Sequence, residues 1–249
     1  MIIFAIILGS TALGLFLGRR LRHRSDVLRE PFAVLHSALL GMMALVLAFG
    51  LALAMGRYES RRVALVEETN AIGTTYLRAQ TLSEPMRTPS LDLLRDYTDT
   101  SIALSHSVPG SADEDAAVAA GQTIQRELWG LADDALDAAP LESAPRLYVE
   151  SLNEMIDMQT TRVATRGNRV PTPILAVEVF GAAAALGLLS FYLSMIGRGI
   201  YAVVLAALLV SFLILVTFDL DRPTRGLIRV PDTPLLELRA SMELPPAAS

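Results

Sequence analysis

Residues 31–56 read PFAVLHSALLGMMALVLAFGLALAMG, and residues 57–80 continue RYESRRVALVEETNAIGTTYLRAQ. The first part is apolar over roughly 25 residues, enough to cross a hydrocarbon layer of about 30 Å. A lipid-facing backbone must satisfy its own hydrogen bonds, so the crossing is helical. No proline or turn cluster follows Pro31 before residue 80, so the helix is expected to run on past the membrane. Ala44, Ala48, Ala52 and Gly56 recur every fourth residue, a ridge of small side chains that lets another helix approach closely. Beyond them Glu67, Asn70, Thr74 and Arg78 share one face, while Leu65, Ile72 and Tyr76 share another.

The chain has 249 residues, of which 52% are hydrophobic, and the excess lies in a few long runs that mark a membrane protein. It has no cysteine, which removes disulfides and thiolate chemistry. It also has no lysine, so neither a lysine phosphate loop nor a Schiff-base enzyme has its essential group. Residues 57–171 carry 18 acidic groups against 11 arginines, a balance of −7, so nucleic acid is not an expected partner. There is no GxSxG, no glycine-rich phosphate loop and no histidine pair at metal-ligand spacing. No catalytic residue, metal or cofactor is therefore assigned, and an enzyme is not expected.

The expected fold is all-α: four transmembrane helices with a membrane-proximal helical domain inserted between the second and third. Residues 1–18 form the first span and 19–31 a basic loop. The second span covers 32–56 and the helical domain 57–171. The third and fourth spans cover 172–196 and 200–218, and 219–249 are a tail. In the domain, helices are expected over 57–82, 88–106, 111–138 and 143–166. Thr88-Pro89 is read as a cap with proline at the first position, and Ser111 to Glu114 as a capping box. Gly197-Arg198-Gly199 reads as a tight turn between the last two spans, His23 as a solvated loop residue, and the final residues as disordered.

Nine arginines near the domain side, against six in the two short loops, lead us to expect the domain on the cytoplasmic side of a bacterial inner membrane. A short N-terminus followed by a basic cluster argues the reverse orientation.

Three polar blocks converge on one membrane face. Besides the extension of the second span, they are LNEMIDMQTTRVATRGNRVP at 152–171 and DLDRPTRGLIRV at 219–230. Their density of carboxylates and arginines predicts an interfacial ion-pair network of Glu67, Asn153, Glu154, Asp157, Arg162, Asp219, Asp221, Arg222 and Arg225, in which Arg222 or Arg225 pairs with Glu67, Glu154 or Asp157. Phe49, Glu67, Asn70, Thr74, Arg78 and Glu178 are candidates for a pore or vestibule lining. An intramembrane carboxylate such as Glu178 is costly and points to function unless it pairs near the interface.

The blocks resemble a bacterial membrane family described as bestrophin-like, through ALLGMMALVLAFGLALAMGRYESRRVALVEETNAIGTTYLR and the two blocks just quoted. The resemblance implies four spans per subunit, a long pore-lining second helix, a pentameric homo-oligomer and anion conduction. This chain departs from bestrophins in carrying only Phe32 and Phe49 as aromatics on that span, and only Asp219 and Asp221 where bestrophins place a dense acidic calcium clasp. Two readings stand: an oligomeric ion channel, in contact with lipid and small ions, whose ion sign is open, and a non-transporting scaffold or sensor whose acidic helical domain binds a cytosolic partner.

Overall fold

A computed structural model describes residues 2–21, 25–197 and 199–245. The described residues form eight helices and no strand: α1 (Ile2–Arg20), α2 (Ser25–Ala79), α3 (Arg87–His106), α4 (Ala112–Ala138), α5 (Ser143–Gly167), α6 (Thr172–Ile196), α7 (Ile200–Asp221) and α8 (Thr233–Ser241). Four helical stretches are long and apolar enough to cross a membrane: α1, the apolar part of α2, α6 and α7. The expectations placed on His23, Arg198 and residues 246–249 lie outside the described residues.

The chain divides into two compact units. One comprises Met1–Arg57 and Arg169–Asp221, the other Tyr58–Asn168 and Arg222–Ser249.

In the first unit α1 and α6 approach through small residues. A Cβ on Gly14 would strike the backbone of Gly187, and one on Gly18 the carbonyl of Phe191. Ser10 Oγ donates to the Ala183 carbonyl at 2.6 Å and Ser194 Oγ to the Leu15 carbonyl at 3.0 Å, so hydroxyls close this crossing from both helices. Such side-chain to backbone bonds hold helices together where apolar burial gives no advantage over lipid. Ile7, Leu47, Val179, Ala182, Leu186, Ala207 and Ile214 fill the interior. Gly197 ends α6 with φ of 75°, a left-handed cap that a residue with a Cβ disfavours.

The second unit has a core of Leu65, Ile72, Tyr76, Leu94, Tyr97, Leu128, Tyr148, Leu152 and Met155 with their neighbours. Four expectations change here or at the start of α2. That helix begins at Ser25 rather than after Pro31, so the basic loop is shorter than 19–31. Helix α3 begins at Arg87, with Met86 as N-cap, so Pro89 sits inside the first turn and Thr88 is not the cap. The Glu84 side chain takes that role, accepting from the Thr88 amide at 3.4 Å and from the Thr88 hydroxyl at 2.7 Å. Ser111 does cap α4, accepting from the Glu114 amide at 3.3 Å, but Glu114 reaches back one residue further, to the Gly110 amide at 2.7 Å. Helix α8 falls within the stretch read as a tail. It buries Leu235, and Met242 just after it, in the core, and the Tyr76 hydroxyl donates to the Met242 carbonyl at 3.0 Å.

Candidate functional site

Helix α2 has 55 residues and two unlike sides. In the first unit Met43, Leu47, Gly50 and Ala54 are buried, at spacings of four and three that define one face. Ala44, Ala48, Phe49, Ala52 and Gly56 are exposed, so the small-residue ridge faces outward. The close helix crossing is made instead by Gly14 and Gly18 of α1. In the second unit Arg61, Ala64, Leu65, Glu68, Ile72, Thr75 and Ala79 are buried, while Val63, Glu67, Asn70, Thr74 and Leu77 are exposed. Arg78 is half-buried, donating to the Leu147 carbonyl at 2.6 Å and meeting Glu150 at 3.4 Å.

Behind the exposed side of this second part lies a buried polar network across four helices. Glu68 of α2 is fully buried and receives Nη1 of Arg162 from α5. Arg162 also donates to Ser101 Oγ and Ser105 Oγ, both at 2.5 Å, and to the Ser101 carbonyl at 3.2 Å. Ser101 Oγ donates to Glu68 Oε2 at 3.1 Å and the Tyr97 hydroxyl to Oε1 at 3.4 Å. Gln125 of α4 donates to the Tyr97 hydroxyl at 3.3 Å and to Gln159 at 2.7 Å. One turn further along α5, Arg166 meets Glu114 of α4 at 3.0 Å and the carbonyl of Ser107, just past α3, at 2.8 Å.

Spacing explains the convergence. Tyr97, Ser101 and Ser105 are successive residues of one i, i+4 row on α3, and Gln159, Arg162 and Arg166 stand at three and four on α5. Burial pushes the Tyr97 phenol well above its usual range, and the Glu68 charge adds to that. Burial also lowers the Arg166 guanidinium, which Glu114 partly offsets.

The network differs in membership from the one expected. The carboxylate that meets Arg162 is Glu68, not its neighbour Glu67. Asn153, Glu154 and Asp157 lie on the exposed side of α5, and Glu67 on the exposed side of α2. Arg222 and Arg225 are exposed and pair with no carboxylate among the described residues, so the pairing expected of them with Glu67, Glu154 or Asp157 is not made within the chain. Asp221 is buried and accepts from the Val170 amide at 2.7 Å, fastening the start of α6 to the end of α7 in the first unit. Asp219 is half-buried. Glu68 was legible as a member of the Leu65–Glu68–Ile72 seam, and Arg162 and Arg166 as the continuation of Tyr148–Leu152–Met155–Gln159.

Glu178 lies on α6, fully buried, and neither carboxyl oxygen has a hydrogen-bond partner among the described residues. The carboxyl rests against α2, where a Cβ on Gly50 would overlap it. One turn along, Met43 packs on Gly181 in the same manner.

A family model for the bestrophin-like domain matches residues 2–235, nearly the whole chain. The fold is shared with a bacterial bestrophin homologue from Klebsiella pneumoniae, at 15% identity and a TM-score of 0.70, covering 98% of this chain and 96% of that one. A single-substitution variant of the Klebsiella pneumoniae homologue aligns at 13% identity and a TM-score of 0.68, covering 95% and 97%. No curated protein matches the chain in sequence. The chain belongs to the bestrophin-like family.

Proposed function

We propose that this bestrophin-like chain is one subunit of a homo-oligomeric ion channel in the bacterial inner membrane, with α2 lining the pore. The observation that carries the reading is the division of α2 into a packed side and an exposed side from Met43 to Ala79. Phe49 and Glu67 are 18 positions apart, about five helical turns, so an unbroken helix carries them on one side. Copies arranged around a closed axis bring that side together, Phe49 narrowing the conduit within the membrane and Glu67, Asn70 and Thr74 forming a polar vestibule. The Ala44, Ala48, Ala52 and Gly56 ridge then admits the neighbouring copy's helix. The residues between the second and third spans form the cytoplasmic domain, and the Glu68–Arg162 network keeps the extension of α2 stiff. A pentamer is the ring that the family resemblance favours. The exposed Glu67 focuses cations, whereas the resemblance favours anions, so the reversal potential in asymmetric salt assigns the sign.

The test is the full-length protein in planar bilayers. Conductance is expected, with Glu67→Arg shifting the reversal potential toward anion preference. A particle of monomer mass with no conductance removes the reading. The scaffold reading is favoured by one feature, a groove on the second unit lined by Gln122, Gln125, Arg126, Trp129 and Ile156, in which Trp129 is 42% exposed. A non-conducting monomer or dimer would favour it.

A further inference from the structure

The segment that follows α7 reads RPTRGLIR over residues 222–229, with three arginines and no carboxylate. In an acidic chain such charges normally find partners. Seven arginines of the second unit do: Arg62, Arg78, Arg87, Arg95, Arg162, Arg166 and Arg239 each meet a carboxylate. Arg222, Arg225 and Arg229 are exposed and meet none among the described residues. Arg229 makes one local bond, from Nε to the Gly226 carbonyl at 3.0 Å, and its two terminal nitrogens bond no acceptor among the described residues. The flanking carboxylates are engaged: Asp221 accepts from the Val170 amide, and Asp232 meets His106 at 3.1 Å.

Within the same eight residues stand two exposed apolar side chains. Leu227 is 97% exposed, and Ile228 beside it is exposed too. An isolated exposed leucine is ordinary. A leucine–isoleucine pair flanked by three uncompensated arginines, directly after a span, fits a phospholipid interface, with headgroup phosphates outside and acyl chains inside. The preceding helix supports the placement, since α7 exposes Leu205, Leu208, Leu209, Phe212 and Leu215 and ends at Asp221.

We propose that residues 222–229 bind an anionic phospholipid, with Arg222, Arg225 and Arg229 as ligands of the headgroup phosphate and Leu227 inserted among the acyl chains. Guanidinium groups suit this task because their planar fork meets two phosphate oxygens at once. The site rests on α7 being a membrane span and not on conduction, so it stands or falls apart from the channel reading.

The test uses the full-length protein in neutral detergent, exchanged against phosphatidylglycerol or phosphatidylcholine. Bound lipid is read by native mass spectrometry, and the unfolding midpoint is followed in parallel. The wild type is expected to retain phosphatidylglycerol preferentially and to melt higher in its presence. At roughly fivefold per arginine near an anionic surface, a triple arginine-to-glutamine variant is expected to lose about a hundredfold in that preference. Arg146→Gln, on an exposed arginine of α5, is expected to keep it. Leu227→Ser is expected to weaken retention of both lipids alike. Should the triple variant not fold, Arg222→Gln and Arg225→Gln singly are each expected to lose about fivefold. Equal retention of the two lipids by wild type, or unchanged retention by the variants, overturns the proposal. If millimolar inorganic phosphate abolishes the preference, the site takes a soluble anion and the lipid assignment is overturned.

Discussion

The carboxyl of Glu178 occupies the space beside Gly50 that a side chain at position 50 would need. Any larger residue there must displace the carboxyl or push α6 from α2. Overpacking of this kind costs about 1–3 kcal/mol. Gly50→Ala is therefore expected to lower stability in detergent, and to do so much less in a Glu178→Ala background, where the space is open. The double-mutant cycle is expected to show coupling of roughly 1–3 kcal/mol. Zero coupling would mean that the two residues do not touch.

Among the described residues, neither buried oxygen of Glu178 has a donor. Removing an unsatisfied buried polar group stabilises, by about 1–3 kcal/mol. Glu178→Met, similar in length and apolar, is expected to raise the unfolding midpoint. A stabilised variant with impaired conduction would mark Glu178 as a group kept for activity at the expense of stability. A midpoint below wild type refutes the expectation.

Glu67 and Glu68 are adjacent in sequence and opposite in circumstance. Glu68→Ala leaves Arg162 buried and unpaired, and breaking such a pair costs about 3–5 kcal/mol. Glu67→Ala removes an exposed carboxylate and is expected to change stability by less than about 0.5 kcal/mol. Chemical denaturation of the two variants side by side checks the contrast, and equal losses would contradict it. Arg162→Lys is expected to be nearly as damaging as Glu68→Ala, since one ammonium cannot reach Glu68, Ser101 and Ser105 together.

That pair also shows where sequence stops being legible. The four apolar helices were plain from hydropathy, because a bilayer fixes their length. The faces of α2 were plain from period alone. Which of two neighbouring glutamates turns inward was legible only from the seam of Leu65 and Ile72, and density of charge in a block does not report it. The same limit applies to Arg222 and Arg225: charged blocks that lie near the ends of spans need not share a contact. Helix α8, nine residues long, is too short to carry a periodic signal in the sequence, and its support comes from burial of Leu235 in a core distant in sequence. The Gly14 and Gly18 crossing has the same spacing as the alanine ridge, and spacing alone does not say which small-residue row finds a partner.

Helix α8 supplies its own test. Leu235 is fully buried and Leu236 is 48% exposed. Leu235→Ala is expected to cost about 2–5 kcal/mol, as other buried leucine truncations do, and Leu236→Ala less than about 0.5 kcal/mol. Limited proteolysis gives an independent reading, with cleavage near residues 231–245 expected to accelerate only in Leu235→Ala. If both variants behave alike, α8 is not docked in the core.

The last prediction concerns alkaline pH and follows from Tyr97. Burial raises its phenol well above the usual value near 10, with a further contribution from Glu68, and burial raises Tyr148 as well. In the unfolded chain both phenols ionise around pH 10. The folded state therefore holds protons that the unfolded state releases, and stability falls as pH rises past that point. Below about pH 9 these two groups contribute no pH dependence. Tyr97→Phe removes one ionisation and also the hydroxyl that serves Glu68 and Gln125. The variant is expected to be less stable than wild type at pH 8, by about 1–3 kcal/mol, yet to lose less on going from pH 9 to pH 11. Unfolding midpoints across that range decide the matter. Parallel curves for wild type and variant would place the alkaline transition elsewhere, and a steeper curve for Tyr97→Phe would reverse the sign argued here.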